Sequence, residues 1–348
     1  MTLPAAAAYD FYGFSIQVSG DPAVLADLQR DFSFFRREVG RSHLSLIIIP
    51  ESYPRSSLPL LKASLQSPRN MVYRTDGVTY VDYFGRAMSV YHTALRRWEI
   101  YCQDRDLAHE VAFLTILSRV GRHLDSVGLH RVHALGVEVG NRAVLVLLPM
   151  AGGKTTLALR LLEAKGVKLL SEDSPLLGPD CQIYPFPLRL GVRPGGEPLA
   201  IPDHLCRTVQ RMEFGPKTLI DIGYFQERLA SPCPVGAILL GERWLTGPSS
   251  LRPGKRREAF KEFMKNCVVG VGLYQGVEFI LERSPWELLG QTSVALSRLR
   301  RSLEVIARAQ VYRFALGPDV EKSADVLLAF LRDFAHTPGQ ANLNRVRT

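Results

Sequence analysis

A lysine, a threonine and two carboxylates occur close together near the middle of this 348-residue chain. They lie in Ala143–Pro175, AVLVLLPMAGGKTTLALRLLEAKGVKLLSEDSP, where Lys154 and Thr155 follow two glycines and Glu172 and Asp173 close the segment. Backbone N–H groups of a glycine loop and of a helix N-terminus attract phosphate oxygens, and a lysine adds a full positive charge. A threonine hydroxyl can hold Mg²⁺. These residue types in this order therefore predict phosphate chemistry.

The glycine-lysine-threonine stretch is a partial match to the phosphate-binding pattern GxxxxGK[ST]. The six positions before Lys154 read LPMAGG, so Leu148 stands where the first glycine of the pattern would be. The pattern needs a strand before the loop and a helix after it, and the sequence predicts both. The residues expected to bind a nucleotide are Ala151, Gly152, Gly153, Lys154, Thr155 and Thr156. The alternative interpretation is an ordinary strand-turn-helix in which GGKTT is only a turn and a helix cap.

Predicted strands and a helix surround the loop. The segment HRVHALGVEVGNRAVLVLL predicts two strands joined by a hairpin turn at Gly140-Asn141, and the second strand leads into the loop. An amphipathic helix follows, with leucines on one face and Gly166 after its end. The apolar run Val167–Leu170 then predicts a strand that ends at the two carboxylates.

The carboxylate pair has two interpretations. A Glu-Asp pair after a strand is usually a solvated turn. Here the pair follows Lys154 by one helix and one strand, which favours a position beside the phosphates. A carboxylate in that position can hold Mg²⁺ through water, or it can accept a proton from an attacking hydroxyl.

The chain divides by pattern into two domains and a tail. Residues 1–128 predict a small α+β domain without a chemical motif, in which the first eight residues look disordered and residues 26–38 have helical spacing. Residues 129–335 carry the loop and end in a long helix, a strand and a final helix. The polar residues 336–348 predict a disordered tail.

Composition narrows the functional classes. No apolar run is long enough for a membrane span, and the N-terminus does not have the basic start and apolar stretch of a signal peptide, so we expect a cytoplasmic protein. The five cysteines are scattered and never spaced as CxxC, which favours reduced thiols over disulfides or zinc. The net charge of +9 suits an acidic partner. Nucleic acid is not favoured, because the basic clusters are not interleaved with aromatic residues along one face and are best interpreted as solvated.

Residues His133–Leu177 resemble the catalytic core of HPr kinase/phosphorylase, a bacterial P-loop protein serine kinase that shares its fold with phosphoenolpyruvate carboxykinase. The chain resembles the divergent HPr-kinase-related proteins. In that family a histidine opens the strand pair ahead of the loop, and His133 stands at the matching place. The loop lysine of the family matches Lys154, its metal-binding hydroxyl matches Thr155, and the second acid of its Asp-Asp pair matches Asp173, with Glu172 in place of the first.

The resemblance implies an α/β fold with a P-loop kinase core, ATP and Mg²⁺ as cofactors, and self-association, since such kinases are usually oligomeric. It implies that Asp173 takes the proton of a substrate hydroxyl, with Lys154 and His133 beside the transferred phosphate. Thr155 and Glu172 would hold the metal. The partner would be a peptide or carrier protein bearing a serine hydroxyl, and residues 1–128 would bind it or mediate assembly.

The chain departs from the family pattern in several places. The loop has no first glycine and has threonine where the family usually has serine. Arg189 and Arg193 are candidate phosphate ligands and Glu197 is a weak metal candidate, but no residue matches the later catalytic arginine of the family. Two other functions therefore stay open: an ATP-binding sensor or scaffold without transfer activity, and a small-molecule kinase.

Overall fold

The computed structural model describes residues 6–149, 152–192, 201–212, 215–270 and 285–337. The strands in these ranges are β1 Ala6–Phe11, β2 Phe14–Gly20, β3 Arg36–Arg37, β4 Leu44–Ile49, β5 Ala63–Gln66, β6 Met71–Thr75, β7 Val78–Asp82, β8 Met88–His92, β9 Arg97–Tyr101, β10 His130–Arg131, β11 Leu135–Val139, β12 Arg142–Leu147, β13 Val167–Ser171, β14 Leu176–Leu177, β15 Gln182–Tyr184, β16 Leu190–Val192, β17 Cys206–Val209, β18 Lys217–Ile220, β19 Cys233–Arg243, β20 Ser250–Pro253 and β21 Gln310–Leu316. The helices are α1 Pro22–Asp31, α2 Arg105–Ser126, α3 Lys154–Glu163, α4 Arg256–Phe263, α5 Pro285–Arg308 and α6 Val320–His336. A π-helical turn, Met264–Val269, continues α4. The predicted α/β class is confirmed.

The described residues group into two compact units. The first contains residues 6–123 together with most of 203–223, and the second contains the remaining described residues. Residues 203–223 thus belong to the first unit, although the predicted domain 129–335 includes them. They form an antiparallel pair, β17 with β18. Helix α6 continues through His336, the first residue of the predicted tail, and residues 338–348 lie outside the described ranges.

The first unit is built on one sheet with the strand order β3-β1-β2-β4-β9-β8-β7-β6-β5. Two predictions for its N-terminal part are wrong. Strand β1 starts at Ala6, inside the stretch expected to be disordered, and α1 is earlier and shorter than residues 26–38. The side chain of Asp21 caps α1 by accepting from two backbone N–H groups, which sets its start. Phe32 and Phe35 follow α1 and pack on the aromatic rings of β1. This packing ends the helix.

A buried ionic cluster ties residues 203–223 to helices of the first unit. Arg207 pairs with the carboxylates of both Asp27 and Asp31. Asp31 is fully buried and is also contacted by His109, whose Nε2 lies 2.7 Å from Asp31 Oδ2. Arg105, which is largely exposed, is a second partner of Asp27, and its Nη2 lies 2.7 Å from Asp27 Oδ2. The cluster therefore balances two buried carboxylates mainly through one arginine.

The second unit is built on a sheet with the order β10-β14-β15-β19-β12-β11-β13, extended by β21 on β19 and by β20 on β21. Strands β12, β19 and β21 are parallel, whereas β11 is antiparallel to both of its neighbours, β12 and β13. The predicted hairpin between β11 and β12 is confirmed, and Gly140 and Asn141 both have the positive φ that its turn requires. No helix among the described residues is long and apolar enough to cross a membrane.

The two clusters of helices in the second unit cover its sheet. Helix α3 contacts α6 and β13, while α4 and α5 contact β19 and each other. The core includes Ile238 and Leu240 of β19, Phe263 of α4 and Val305 of α5. Residues 237–240 of β19 are all buried, so both faces of this strand are covered, as is usual for a strand with parallel neighbours.

We expect Arg207→Ala to lower the free energy of unfolding by about 3 kcal/mol, because it leaves buried carboxylates without their main counter-charge. The matched control is Arg105→Ala, which removes an exposed arginine from the same cluster and should cost less than about 1 kcal/mol. Chemical denaturation followed by circular dichroism measures both. An equal cost for the two variants would contradict the account of the cluster.

Candidate functional site

Strand direction brings the predicted site residues to one edge of the second unit's sheet. Because β11 runs opposite to β12 and β13, its first residue lies at the same edge as the last residues of the other two. His133 precedes β11, the glycine loop follows β12, and Glu172 and Asp173 follow β13. Residues that are up to 40 positions apart in the chain therefore lie together at this edge of the sheet, although the strands that place them are short.

The loop turns tightly into helix α3. Gly152 N–H donates to Pro149 O at 2.9 Å, and Gly153 precedes the helix with φ near +92°, which favours glycine. A Cβ on Gly152 would lie 2.8 Å from Pro149 O, closer than real Cβ contacts allow. Helix α3 begins at Lys154, and Thr156 lies half-buried in its first turn. Ala151 lies outside the described residues.

Leu148 occupies the position of the missing first glycine and is buried. The Leu148 side chain packs against Gly241 of the neighbouring strand β19. A Cβ at Gly241 would lie only 2.2 Å from Leu148 Cδ2, so the glycine leaves the space that the leucine fills. Leucine in place of the first glycine of the phosphate-loop pattern is thus accommodated by a glycine on the adjacent strand. The loop is held from beneath by an apolar side chain, and its last two glycines still shape the turn.

Lys154 is the centre of the site. Its side chain is 6% exposed, and Nζ lies 2.8 Å from His133 Nε2 and 3.9 Å from Asp173 Oδ1. Nζ also donates to the carbonyl of Leu148 at 3.2 Å. Burial lowers the pKa of Lys154, and the negative charges of Asp173 and Glu172 oppose that shift. The ammonium is therefore held at a position where its charge is poorly solvated and attracts an anion strongly.

His133 lies between the lysine and the acid. When Nε2 accepts from the Lys154 ammonium, the ring carries its proton on Nδ1, which lies 3.1 Å from Asp173 Oδ1. The angles are not those of a hydrogen bond, so within the described ranges this buried nitrogen has no hydrogen-bond partner. Asp173 is 47% exposed. The site thus combines a buried cation and a buried imidazole with a carboxylate that solvent reaches.

Thr155 and Glu172 form the second contact of the site, in which the hydroxyl of Thr155 donates to Glu172 Oε1 at 2.6 Å. Hydroxyl and carboxylate oxygens are ligands that Mg²⁺ accepts, and Mg²⁺ commonly keeps only one or two protein ligands beside phosphates and waters. Among the described residues no group of three or more His, Cys, Asp or Glu side chains could hold a metal. The donor set present fits a magnesium ion shared with a phosphate chain.

Backbone hydrogen bonds fix the positions of His133 and Asp173. Val132 N–H donates to Pro175 O at 3.1 Å and Ala134 N–H donates to Asp173 O at 3.2 Å, which extends the pairing of β10 with β14. On the other side, His133 N–H donates to Asn266 O in the π-helical turn at 3.0 Å. Such turns are rare and occur often at functional sites.

A buried polar cluster binds the π-helical turn that contacts His133. Asp125 accepts from both ends of the Arg298 guanidinium at 3.0 and 2.6 Å, and His130 Nδ1 lies 2.8 Å from the same carboxylate. Burial by itself would raise the pKa of Asp125, but the hydrogen bonds from His130 and Arg298 lower it below the usual value. Arg298 also donates to the carbonyls of Cys267 and Val268 in the π-helical turn. Burial lowers the pKa of the neighbouring Arg131 to about 10.

Sequence reasoning missed Arg243. This residue is the last of β19, the parallel neighbour of β12. Its Nη1 lies 3.4 Å from the position that a Cβ on Gly153 would occupy. Its guanidinium donates to the carbonyl of Pro318 at 3.4 Å. No motif marks Arg243, because its proximity to the loop depends on the pairing of β19 with β12. Arg189 lies half-buried before β16, and Arg193 and Glu197 lie outside the described residues.

Comparison with models of known protein families gave no match, and no curated protein matches the chain either.

The buried charge of Lys154 predicts a pH-dependent difference in stability. Because the folded state lowers the pKa of Lys154 below 10.5, the unfolded chain binds more protons between the two values. The free energy of unfolding of the unaltered protein, relative to Lys154→Met, should therefore rise as pH increases toward 10.5. Denaturation of both proteins over this pH range measures it. A difference that falls with pH would mean that Lys154 is not held in a poorly solvated place.

Proposed function

We propose that the second unit is a P-loop kinase core of the HPr kinase and phosphoenolpyruvate carboxykinase type. It would transfer the γ-phosphate of ATP to a hydroxyl, most simply a serine of a peptide or carrier protein. The observation that carries this proposal is the sequence of contacts from Lys154 through His133 to Asp173 at the glycine loop. An ordinary turn gives no reason to bury a lysine charge and to aim it at an imidazole beside an exposed carboxylate.

The described residues account for each need of phosphoryl transfer. Gly153 and the start of α3 present backbone N–H groups to phosphate oxygens, and Lys154 neutralises charge that spreads over them. Asp173 accepts the proton of the acceptor hydroxyl as its oxygen bonds to the γ-phosphorus and the bond from that phosphorus to ADP breaks. His133 accepts from Lys154 and lies 3.1 Å from Asp173, so it keeps the cation and the base on either side of its ring. Mg²⁺ on Thr155 and Glu172 would neutralise further phosphate charge.

The exposure of Asp173 favours transfer over simple nucleotide sensing. A base must reach the incoming hydroxyl, and Asp173 is the one member of the Lys154, His133 and Asp173 group that is open to solvent. We place this activity in the cytoplasm, where ATP is available and thiols stay reduced. The free state of Cys102, Cys181, Cys206, Cys233 and Cys267 is in keeping with that compartment.

We expect Lys154→Ala to abolish ATP binding and Asp173→Asn to lower phosphate transfer by about 10² to 10⁴-fold while ATP still binds. Lys165→Ala, which removes an exposed lysine just after α3, is the matched control and should change neither property. The assay incubates each protein with γ-labelled ATP and a lysate of its own cell, and calorimetry measures ATP binding. Labelled polypeptide that depends on Lys154 supports the proposal.

Three results would contradict parts of this assignment. Near-normal transfer by Asp173→Asn would remove its role as the base. ATP binding without any Lys154-dependent product would make the protein a sensor or scaffold. Label found in a metabolite instead of a polypeptide would indicate a small-molecule kinase.

We further propose that Arg243 contacts the terminal phosphate, because its guanidinium lies beside the N-terminus of α3. Arg243→Gln should lower transfer at least about tenfold and reduce the preference for ATP over ADP, since a charge-assisted bond to the γ-phosphate is lost. Arg252→Gln, at an exposed arginine of β20, is the control. Calorimetric titrations with ATP and ADP measure the preference. An unchanged ATP preference in Arg243→Gln would refute this role.

A further inference from the structure

Three of the exposed cations on helix α4 and the π-helical turn that follows it lie on successive turns: Arg257, Lys261 and Lys265. The fully buried residues Ala259, Phe263 and Cys267 follow the same four-residue spacing on the opposite side. We call the three cations the basic stripe. Its position on the outer face follows directly from the burial of the inner one.

The basic stripe has no carboxylate within ion-pair distance among the described residues. The two acidic side chains of α4 are engaged elsewhere: Glu258 lies 3.7 Å from Arg313 and accepts from the Lys255 N–H, and Glu262 accepts from the side chain of Asn266. Like charges four residues apart on a helix destabilise it by a few tenths of a kcal/mol per pair. An anionic partner would remove that repulsion.

The basic stripe leads to the candidate site. Lys265 is followed directly by Asn266, whose carbonyl accepts from the backbone N–H of His133 at 3.0 Å. The helix that carries the stripe and the histidine of the site are thus joined through one hydrogen bond. The C-terminal end of the stripe thus belongs to the segment that holds the backbone of His133.

We propose that the basic stripe binds an acidic segment of the polypeptide that carries the acceptor hydroxyl. The inference rests on the proposed function in taking the acceptor to be a polypeptide. Eight residues of helix span about 12 Å, which an extended peptide covers with about four residues. A short run of Asp or Glu near the acceptor hydroxyl therefore matches the stripe in length and charge. A nucleic-acid surface would interleave aromatic side chains with the cations, and α4 exposes only Phe260 in this part of its surface.

The test uses the full chain and a fluorescent peptide with one serine beside a run of glutamates. A twin peptide has glutamines in their place. The stripe variant combines Arg257→Gln, Lys261→Gln and Lys265→Gln. The control combines Lys165→Gln, Lys168→Gln and Lys322→Gln, which removes the same charge from exposed lysines elsewhere in the second unit. Fluorescence anisotropy measures binding at low and at raised ionic strength.

We expect the unaltered protein and the control to bind the glutamate peptide with similar affinity, and the stripe variant to bind it at least about tenfold more weakly. Binding should weaken as salt is raised, and the glutamine twin should bind no better than the stripe variant binds the glutamate peptide. Equal affinity of the stripe variant and the control would overturn the proposal. If the triple variant does not fold, Lys261→Gln alone against Lys168→Gln gives the same comparison with a smaller change.

Competition experiments distinguish an acidic peptide from other ligands of the basic stripe. An oligothymidylate or phosphatidylserine vesicles that displace the peptide, and that bind more tightly through the same three residues, would overturn the proposal in favour of nucleic acid or a membrane surface. Lys154→Ala distinguishes this inference from the proposed function. Both proposals predict that Lys154→Ala keeps peptide binding and loses transfer. If the unaltered protein binds the glutamate peptide through the stripe but shows no transfer that Lys154→Ala removes, the docking surface stands and the kinase assignment falls.

Discussion

The contact between the Lys154 ammonium and the His133 ring is the interaction on which the candidate site depends. A lysine charge that is 6% exposed is costly to hold, and burial lowers its pKa. The cost is reduced by the imidazole at 2.8 Å, by a loop carbonyl and by the two carboxylates after β13. The same features that make this charge expensive also prepare it to attract phosphate, because few water dipoles compete for it.

The reversed strand β11 is the constraint that makes this contact possible. If β11 were parallel to β12, its start would lie at the far edge of the sheet from the loop, and His133 would be a strand's length away from Lys154. The tight turn at Gly140-Asn141 forces the reversal, since two residues can join only antiparallel strands. The hydrogen bonds of His133 and Ala134 to residues 266 and 173 then hold the ring between the lysine and the acid.

Charge is distributed unevenly over the second unit. Many carboxylates are committed to arginines within the fold, as Asp125 is to Arg298 and Glu242 to Arg313. Pairing of this kind leaves cations such as the basic stripe and Arg243 unmatched by nearby acids among the described residues. Part of the positive charge of the chain therefore lies at one helix surface and beside the loop.

Local patterns in the sequence determined the elements around the site. The hairpin at Gly140-Asn141, the loop before α3 and the strand that ends at Glu172 and Asp173 follow from turn chemistry and apolar periodicity, which act over a few residues. The weakest local predictions were those where packing competed with periodicity. Residues 26–38 have helical spacing, but Phe32 and Phe35 leave the helix to fill the aromatic core.

Only the tertiary structure decided which of these elements meet. The Lys154 contact with His133, the fit of Leu148 over Gly241 and the position of Arg243 beside the loop all depend on the pairing of strands distant in sequence. The same holds for Asn266, which reaches His133 through a π-helical turn that no spacing indicates. Strand order and register are set by the burial of apolar faces across the whole sheet, so a window of neighbouring residues does not contain them.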